Sequence, residues 1–150
     1  MEPNFHDGEY ILTDKITYRF SQPKRGDIIV FRAPKDRDLD YIKRIIGLPG
    51  ETIRIFNGKI YISRGKGSTE TILKEPYQIL STIESGTLLT DKKSLTLDNQ
   101  SYFVLGDNRN QSYDSREWGP VLKKDIIGKA WIRYWPLSRL SFIHRVTYPN

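Results

Sequence analysis

The sequence predicts a mostly β fold, with many short strands around a barrel-like or coiled-sheet core. Three observations carry that prediction. Short β-branched and aromatic runs recur along the chain, each too short for a helix and bounded by Gly, Pro, Asn or Asp. Two alternating segments flank Asn57-Gly58, the pattern of a two-residue hairpin turn whose central residues both take positive φ. No segment sustains a 3.6-residue apolar stripe over three turns.

The elements follow in chain order. Met1 to Asp14 mixes the turn formers Pro3, Asn4, Asp7 and Gly8 with the apolar run Tyr10-Ile11-Leu12. Arg25-Gly26-Asp27 turns into Ile28-Ile29-Val30-Phe31, which reads as a buried strand. Tyr41 to Ile46 is a second extended segment, closed by Gly47-Leu48-Pro49-Gly50. Thr52 to Ile55 and Lys59 to Ile62 are the two arms of the hairpin. From about Ser63 to Asp91 the chain is rich in Ser, Thr, Gly and Lys with weak periodicity, compatible with a loop, a ragged hairpin or a small lobe. Ser94 to Leu97 alternates again, Tyr102-Phe103-Val104-Leu105 is another buried strand, and Gly128 to Trp135 is the last, stopped by Pro136. One domain over 1–150 is expected, with about 63–100 as an inserted subdomain or loop region.

Hydrophobic content of 37% and charged content of 28% suit a folded globular chain. Lys and Arg number 24 against 18 Asp and Glu, a net charge of +6 that suits an anionic partner, either nucleic acid or membrane head groups. The charge is spread out rather than gathered into a tail. With no cysteine, disulfides, thiol catalysis and thiolate zinc sites are excluded. His6 and His144 have no ligand partners at metal spacing, so surface histidines are expected and no metal or cofactor site. Nothing approaches the ~18–20 apolar residues that cross a bilayer, and no signal pattern opens the chain. Trp131, Tyr134, Trp135 and Phe142 suit either a core or a membrane interface, with core expected for Trp131 and the opposite neighbours of Tyr134.

Two features could carry chemistry. Gly106-Asp107-Asn108-Arg109, Ser112, Asp114, Ser115 and Arg116 gather two Asp, two Arg and two Ser directly after an apolar strand. Asp and Arg pair bidentately and can brace a loop beside a site, although the same residues also make an ordinary salt-bridged turn. The second feature is Lys43. Alternation puts Tyr41, Lys43 and Ile45 on one face of their strand and Ile42, Arg44 and Ile46 on the other, so neither face is cleanly polar. One of the two cations then sits against apolar neighbours. Desolvation there would lower a lysine pKa and make it a general base; bringing it from ~10.4 to about 7 costs at most about 4–5 kcal/mol. An exposed lysine is the plainer alternative.

Together these segments resemble the bacterial type I signal peptidases. Met1-Glu2-Pro3 looks like the tail of a Ser-Met-X-Pro motif, and Arg25 to Phe31 resembles the strand that follows it. Tyr41 to Glu51 resembles the family's lysine box, and Gly106 to Gly119 its Gly-Asp-Asn-Arg…Ser-X-Asp-Ser-Arg box. Lys129 to Pro136 is similar as well. The resemblance implies coiled antiparallel sheets of the kind shared with LexA-type proteins, and a serine endopeptidase that removes signal peptides after Ala-X-Ala sites. It implies Lys43 as general base, Ser112 as the hydroxyl that orients its amine, and Asp114 and Arg116 as the pair bracing the site. Asp107 and Arg109 would form a further structural pair, and Met1, Tyr41 and Ile42 would line small substrate pockets.

The same resemblance places the nucleophilic Ser directly before Met1. The membrane anchor and an oxyanion-hole N–H would lie upstream too, so the 150 residues as given are expected not to cleave peptides. A start codon assigned to the motif's internal Met, or a fragmented chain, is the expected cause, with a true truncation as the alternative. The implied partners are preprotein signal peptides and a membrane surface, with no nucleic acid, and the implied location is the outer face of the cell membrane. Two alternatives stand beside this reading: a self-cleaving LexA-type regulator, disfavoured by the Gly-Asp-Asn-Arg box, and a non-catalytic basic β-domain that binds nucleic acid. Oligomeric state is not legible in these residues.

Overall fold

A computed structural model of the chain describes residues 1–65, 68–76, 83, 86–90 and 93–148. Much of the stretch expected to be a loop or lobe, namely 66–67, 77–82, 84–85 and 91–92, lies outside the described residues. The strands are β1 (Tyr10–Asp14), β2 (Ile28–Arg32), β3 (Asp40–Gly47), β4 (Glu51–Phe56), β5 (Lys59–Arg64) and β6 (Thr71–Ile72). They continue with β7 (Ser94–Thr96), β8 (Ser101–Leu105), β9 (Val121–Leu122), β10 (Ile126–Trp135) and β11 (Ser141–Phe142). Among the described residues there are also two single-turn α-helices, α1 (Thr17–Phe20) and α2 (Ser115–Trp118), and three 3₁₀ turns. The fold is mostly β, as the patterning predicts.

Among the described residues every strand pairing is antiparallel. The larger sheet has seven strands in the order β1-β10-β2-β3-β8-β9, with β11 added on β10. The smaller has four, β6-β5-β4-β7. The β4–β5 hairpin turns at Asn57 and Gly58 with φ of 49° and 70°, the left-handed pair that a two-residue turn needs. Its six residue pairs run without a bulge from Phe56↔Lys59 to Glu51↔Arg64.

β3 joins the two sheets. Its burial deepens along its length, from exposed Asp40 to fully buried Ile45 and Ile46. Alternation there is replaced by two-sided burial, because successive side chains enter different clusters. Ile45 packs with Ile29, Phe31, Tyr102 and Val104 in the larger sheet. Ile46 packs with Ile53, Ile55, Ile60 and Leu105 towards the smaller. β8 is buried throughout for the same reason. A third cluster, Phe5, Ile28 and Ala130, holds the N-terminal segment against β2 and β10. At roughly 25 cal/mol per Å² removed from water, these clusters supply the main drive for folding.

Candidate active site

Lys43 lies inside β3, opposite Ile29 of β2. On its other side β3 pairs with β8 through Arg44↔Leu105. In an antiparallel ladder the next residue of β8's chain, Gly106, therefore falls beside Lys43. The loop after Gly106 folds back over it. A Cβ built on Gly106 would overlap the Ser112 hydroxyl and lie 3.6 Å from Lys43 Nζ. Glycine is what lets those two side chains converge.

Ser112 Oγ is buried and has no hydrogen-bond partner among the described residues. The Lys43 amine is half-buried and forms no ion pair among them. Its pKa is lowered from the ordinary lysine value, chiefly by burial. Asp114 and Asp107 oppose the shift, and the Arg116 cation adds to it. A desolvated amine is more readily neutral, and so able to accept a proton, than an exposed one.

The loop is braced from below. Asp114 caps α2 by accepting from the Arg116 backbone N–H at 3.2 Å, and its two oxygens take Arg116 Nε and Nη2 at 2.9 and 3.0 Å. The Gly106 N–H donates to Asp114 Oδ2 at 3.1 Å. Arg116 Nη2 also donates to the carbonyls of Arg109 and Ser112, at 2.6 and 3.2 Å. Ser115 accepts from the Val104 N–H at 3.0 Å, tying the loop to β8. Asp114 and Arg116 are both buried, so their charges are tolerable only because these contacts satisfy them.

The expected Asp107–Arg109 pair is corrected to two pairs with other partners. Asp107 takes Arg44 bidentately, at 2.8 Å from Nε and 2.7 Å from Nη2, and accepts from Asn4 Nδ2 at 2.7 Å. Arg109 forks onto Glu75 at 2.6 and 2.5 Å. The chain enters a tight 3₁₀ turn at Arg109, so its neighbouring charges diverge, Asp107 towards β3 and Arg109 towards the segment after β6. Sequence reasoning missed Arg44, Asn4 and Glu75. The available signal was an arginine next to Lys43 in an apolar strand; it is buried, and its carboxylate partner is what distinguishes it from Lys43.

The three expected pocket residues divide. Met1 and Ile42 each pack against the Phe5–Ile28–Ala130 cluster. Tyr41 lies on the other face of β3, edge-on to Phe31, with Lys43 Nζ 5.9 Å from its ring centroid. Both histidines are exposed, and His6 contacts Arg139 at 2.9 Å. Trp131, Tyr134, Trp135 and Phe142 are all exposed as well, which corrects the core placement expected for Trp131: its face of β10 is the outer one, and Ala130 faces the core.

Comparison places the chain among the peptidases: the family model described as signal peptidase, peptidase S26, matches residues 1–135. Signal peptidase I of Leptolyngbya laminosa is 39% identical, over 94% of this chain and 67% of that protein. Signal peptidase I V of Bacillus subtilis is 38% identical, over 85% and 76%. The probable signal peptidase I-2 of Synechocystis is 36% identical over 95% of this chain, which spans 62% of that relative's length. Among solved structures, a signal peptidase I from Enterococcus faecalis superposes with a TM-score of 0.55 at 33% identity, covering 73% of this chain and 97% of that one. The chain belongs to the signal peptidase family, peptidase S26.

Proposed function

We propose that this chain is the catalytic domain of a serine endopeptidase that removes N-terminal signal peptides from exported preproteins after small residues. The observation that carries the reading is the convergence of the Lys43 amine and the Ser112 hydroxyl on Gly106. The nucleophile is the hydroxyl of a serine directly before Met1. Neutral Lys43 accepts its proton as the oxygen attacks the scissile carbonyl, and the protonated amine then gives that proton to the departing amino terminus. Water, deprotonated by the same lysine, releases the signal peptide from the acyl-serine. Ser112 holds the amine in line, and the Asp114–Arg116 pair holds Ser112. Met1 and Ile42 offer apolar surface to the small residues before the cleavage site.

The domain works at the outer face of the cell membrane. Support comes from exposed apolar side chains, among them Phe20, Trp131, Trp135, Leu137 and Phe142. Trp and Tyr favour the bilayer interface, and a net charge of +6 favours anionic head groups. No helix among the described residues is long and apolar enough to cross a membrane.

The test uses the chain carried upstream through a serine before Met1, incubated with a preprotein. Lys43→Met keeps the bulk and removes the base, so kcat should fall about 10⁴-fold or more, and replacing the upstream serine by alanine should fall as far. Parental cleavage by either variant would rule out the Ser/Lys assignment.

A further inference from the structure

Gly106 is held by both of its peptide groups. Its N–H is taken by Asp114, and its carbonyl accepts from Arg109 Nε at 2.9 Å. The remaining edge of that guanidinium, Nη1 and Nη2, sits on the two carboxylate oxygens of Glu75. Arg109 and Glu75 side chains are 2% and 6% exposed. A planar guanidinium fixed on one side by a carbonyl and on the other by a bidentate carboxylate has no freedom to rotate. Arg109 also offers its own carbonyl to Arg116, which links the two buried ion pairs.

Glu75 comes from the segment that follows β6, outside every motif of the chain. The same excursion meets the loop again at 86–89. There the N–H groups of Leu88 and Leu89 donate to the Arg116 carbonyl at 2.9 and 3.3 Å, and Thr87 Oγ1 donates to Glu117 at 2.6 Å. Gly86 lies so close to Arg116 that a Cβ there would clash with it. The excursion therefore grips the loop at each of its two arginines.

We infer that Glu75 is a positioning residue for the Lys43–Ser112 pair, acting through Arg109 and the Gly106 peptide. The inference rests on the Ser/Lys reading above. Gly106 is the surface on which the amine and the hydroxyl converge, so a shift of its peptide changes their separation directly. Without the carboxylate fork Arg109 loses the constraint that aims Nε at the Gly106 carbonyl, and Ser112 drifts relative to Lys43. A misplacement of about 1 Å at such a distance lowers turnover by as much as about 100-fold. Substrate does not touch Glu75, so KM stays put.

The experiment measures preprotein cleavage and thermal melting for Glu75→Gln, Glu75→Asp and Arg109→Lys in the chain carrying the upstream serine, with Lys43→Met as control. Glu75→Gln should lower kcat about 10- to 100-fold per folded molecule with KM unchanged, and Glu75→Asp, which keeps the carboxylate, should recover part of it. Arg109→Lys keeps the charge opposite Glu75 but has no Nε–H for Gly106. It should lose kcat as Glu75→Gln does, and it carries the test should that variant not fold. A purely structural ion pair predicts something different: lower melting temperatures with parental kcat in Glu75→Gln and Arg109→Lys. That result, with Lys43→Met inactive, overturns the inference alone. Parental cleavage by Lys43→Met overturns the Ser/Lys reading and the inference with it.

Discussion

Lys43 and Arg44 are neighbouring cations with opposite solutions to burial. Arg44 is paired with Asp107, whereas Lys43 has burial acting on an amine without an ion pair among the described residues. Because its folded pKa is lowered below 10.5, the unfolded chain binds more protons between that lowered value and pH 10.5. Stability should therefore rise with pH across that window. Urea unfolding from neutrality to pH 10.5 should show this rise in the parent and lose it in Lys43→Met. The same lowering moves the ascending limb of the kcat–pH profile below the ordinary lysine range, since only the neutral amine accepts a proton. Burial also ranks the ion pairs. Asp114→Asn removes one charge of a fully buried pair and should cost about 3–5 kcal/mol in urea unfolding. Asp125→Asn, opposite a largely exposed Arg37, should cost about 1 kcal/mol or less.

Among the elements, the N-terminal segment adds ion pairs to the apolar contacts of Phe5. Arg133 donates to Glu9 at 3.1 Å and to the Asn4 carbonyl at 3.1 Å, and Arg139 reaches Glu9 at 2.9 Å. Burial works against ionisation of Glu9, but hydrogen bonds from Arg139, the His6 backbone and Arg133 outweigh it and hold the carboxyl at about 2. The stability it contributes is fully present above its ordinary 4.5 and is lost as pH falls towards 2. Acid titration followed by circular dichroism should show Glu9→Gln with a shallower loss between those values. The strands best read from sequence were those whose pattern is local: the β4–β5 hairpin from its Asn-Gly turn, and β2, β8 and β10 from their β-branched and aromatic runs. β6, β9 and β11 have two residues each and exist only through a partner strand, so no periodicity could mark them. α1 and α2 are single turns, below the length at which a 3.6-residue stripe appears.

For the whole molecule, sheet order sets both the site and the exposed face. β10 lies between β1 and β2 and sends Trp131 and Trp135 outward, while Ala130 faces the core. Sequence left those aromatics divided between core and interface, and strand alternation could not choose, because it does not say which face another layer covers. If the exposed face meets a membrane, the purified chain should cosediment with vesicles containing anionic lipid. A Trp131→Ala/Trp135→Ala variant should cosediment less at every salt concentration, whereas the parent's electrostatic share should weaken as salt is raised. Equal cosedimentation of the two proteins would remove this face from the membrane-binding account.

The β class, the principal strands, the hairpin and the resemblance to signal peptidases were all present in the sequence, because each depends on neighbours within a few residues or on ordered short motifs. So was the choice of Lys43 and of the loop from Gly106 to Arg116. What came only from the tertiary structure was partnership. Asn4 meets Asp107 across 103 residues, Arg44 meets it across 63, and Arg109 meets Glu75 across 34. A buried charge must find its counter-charge wherever the folded sheets bring one, and sequence spacing carries no trace of that register. Arg44 meets such a partner in Asp107. Lys43, one residue away, is left to the lowering effect of burial.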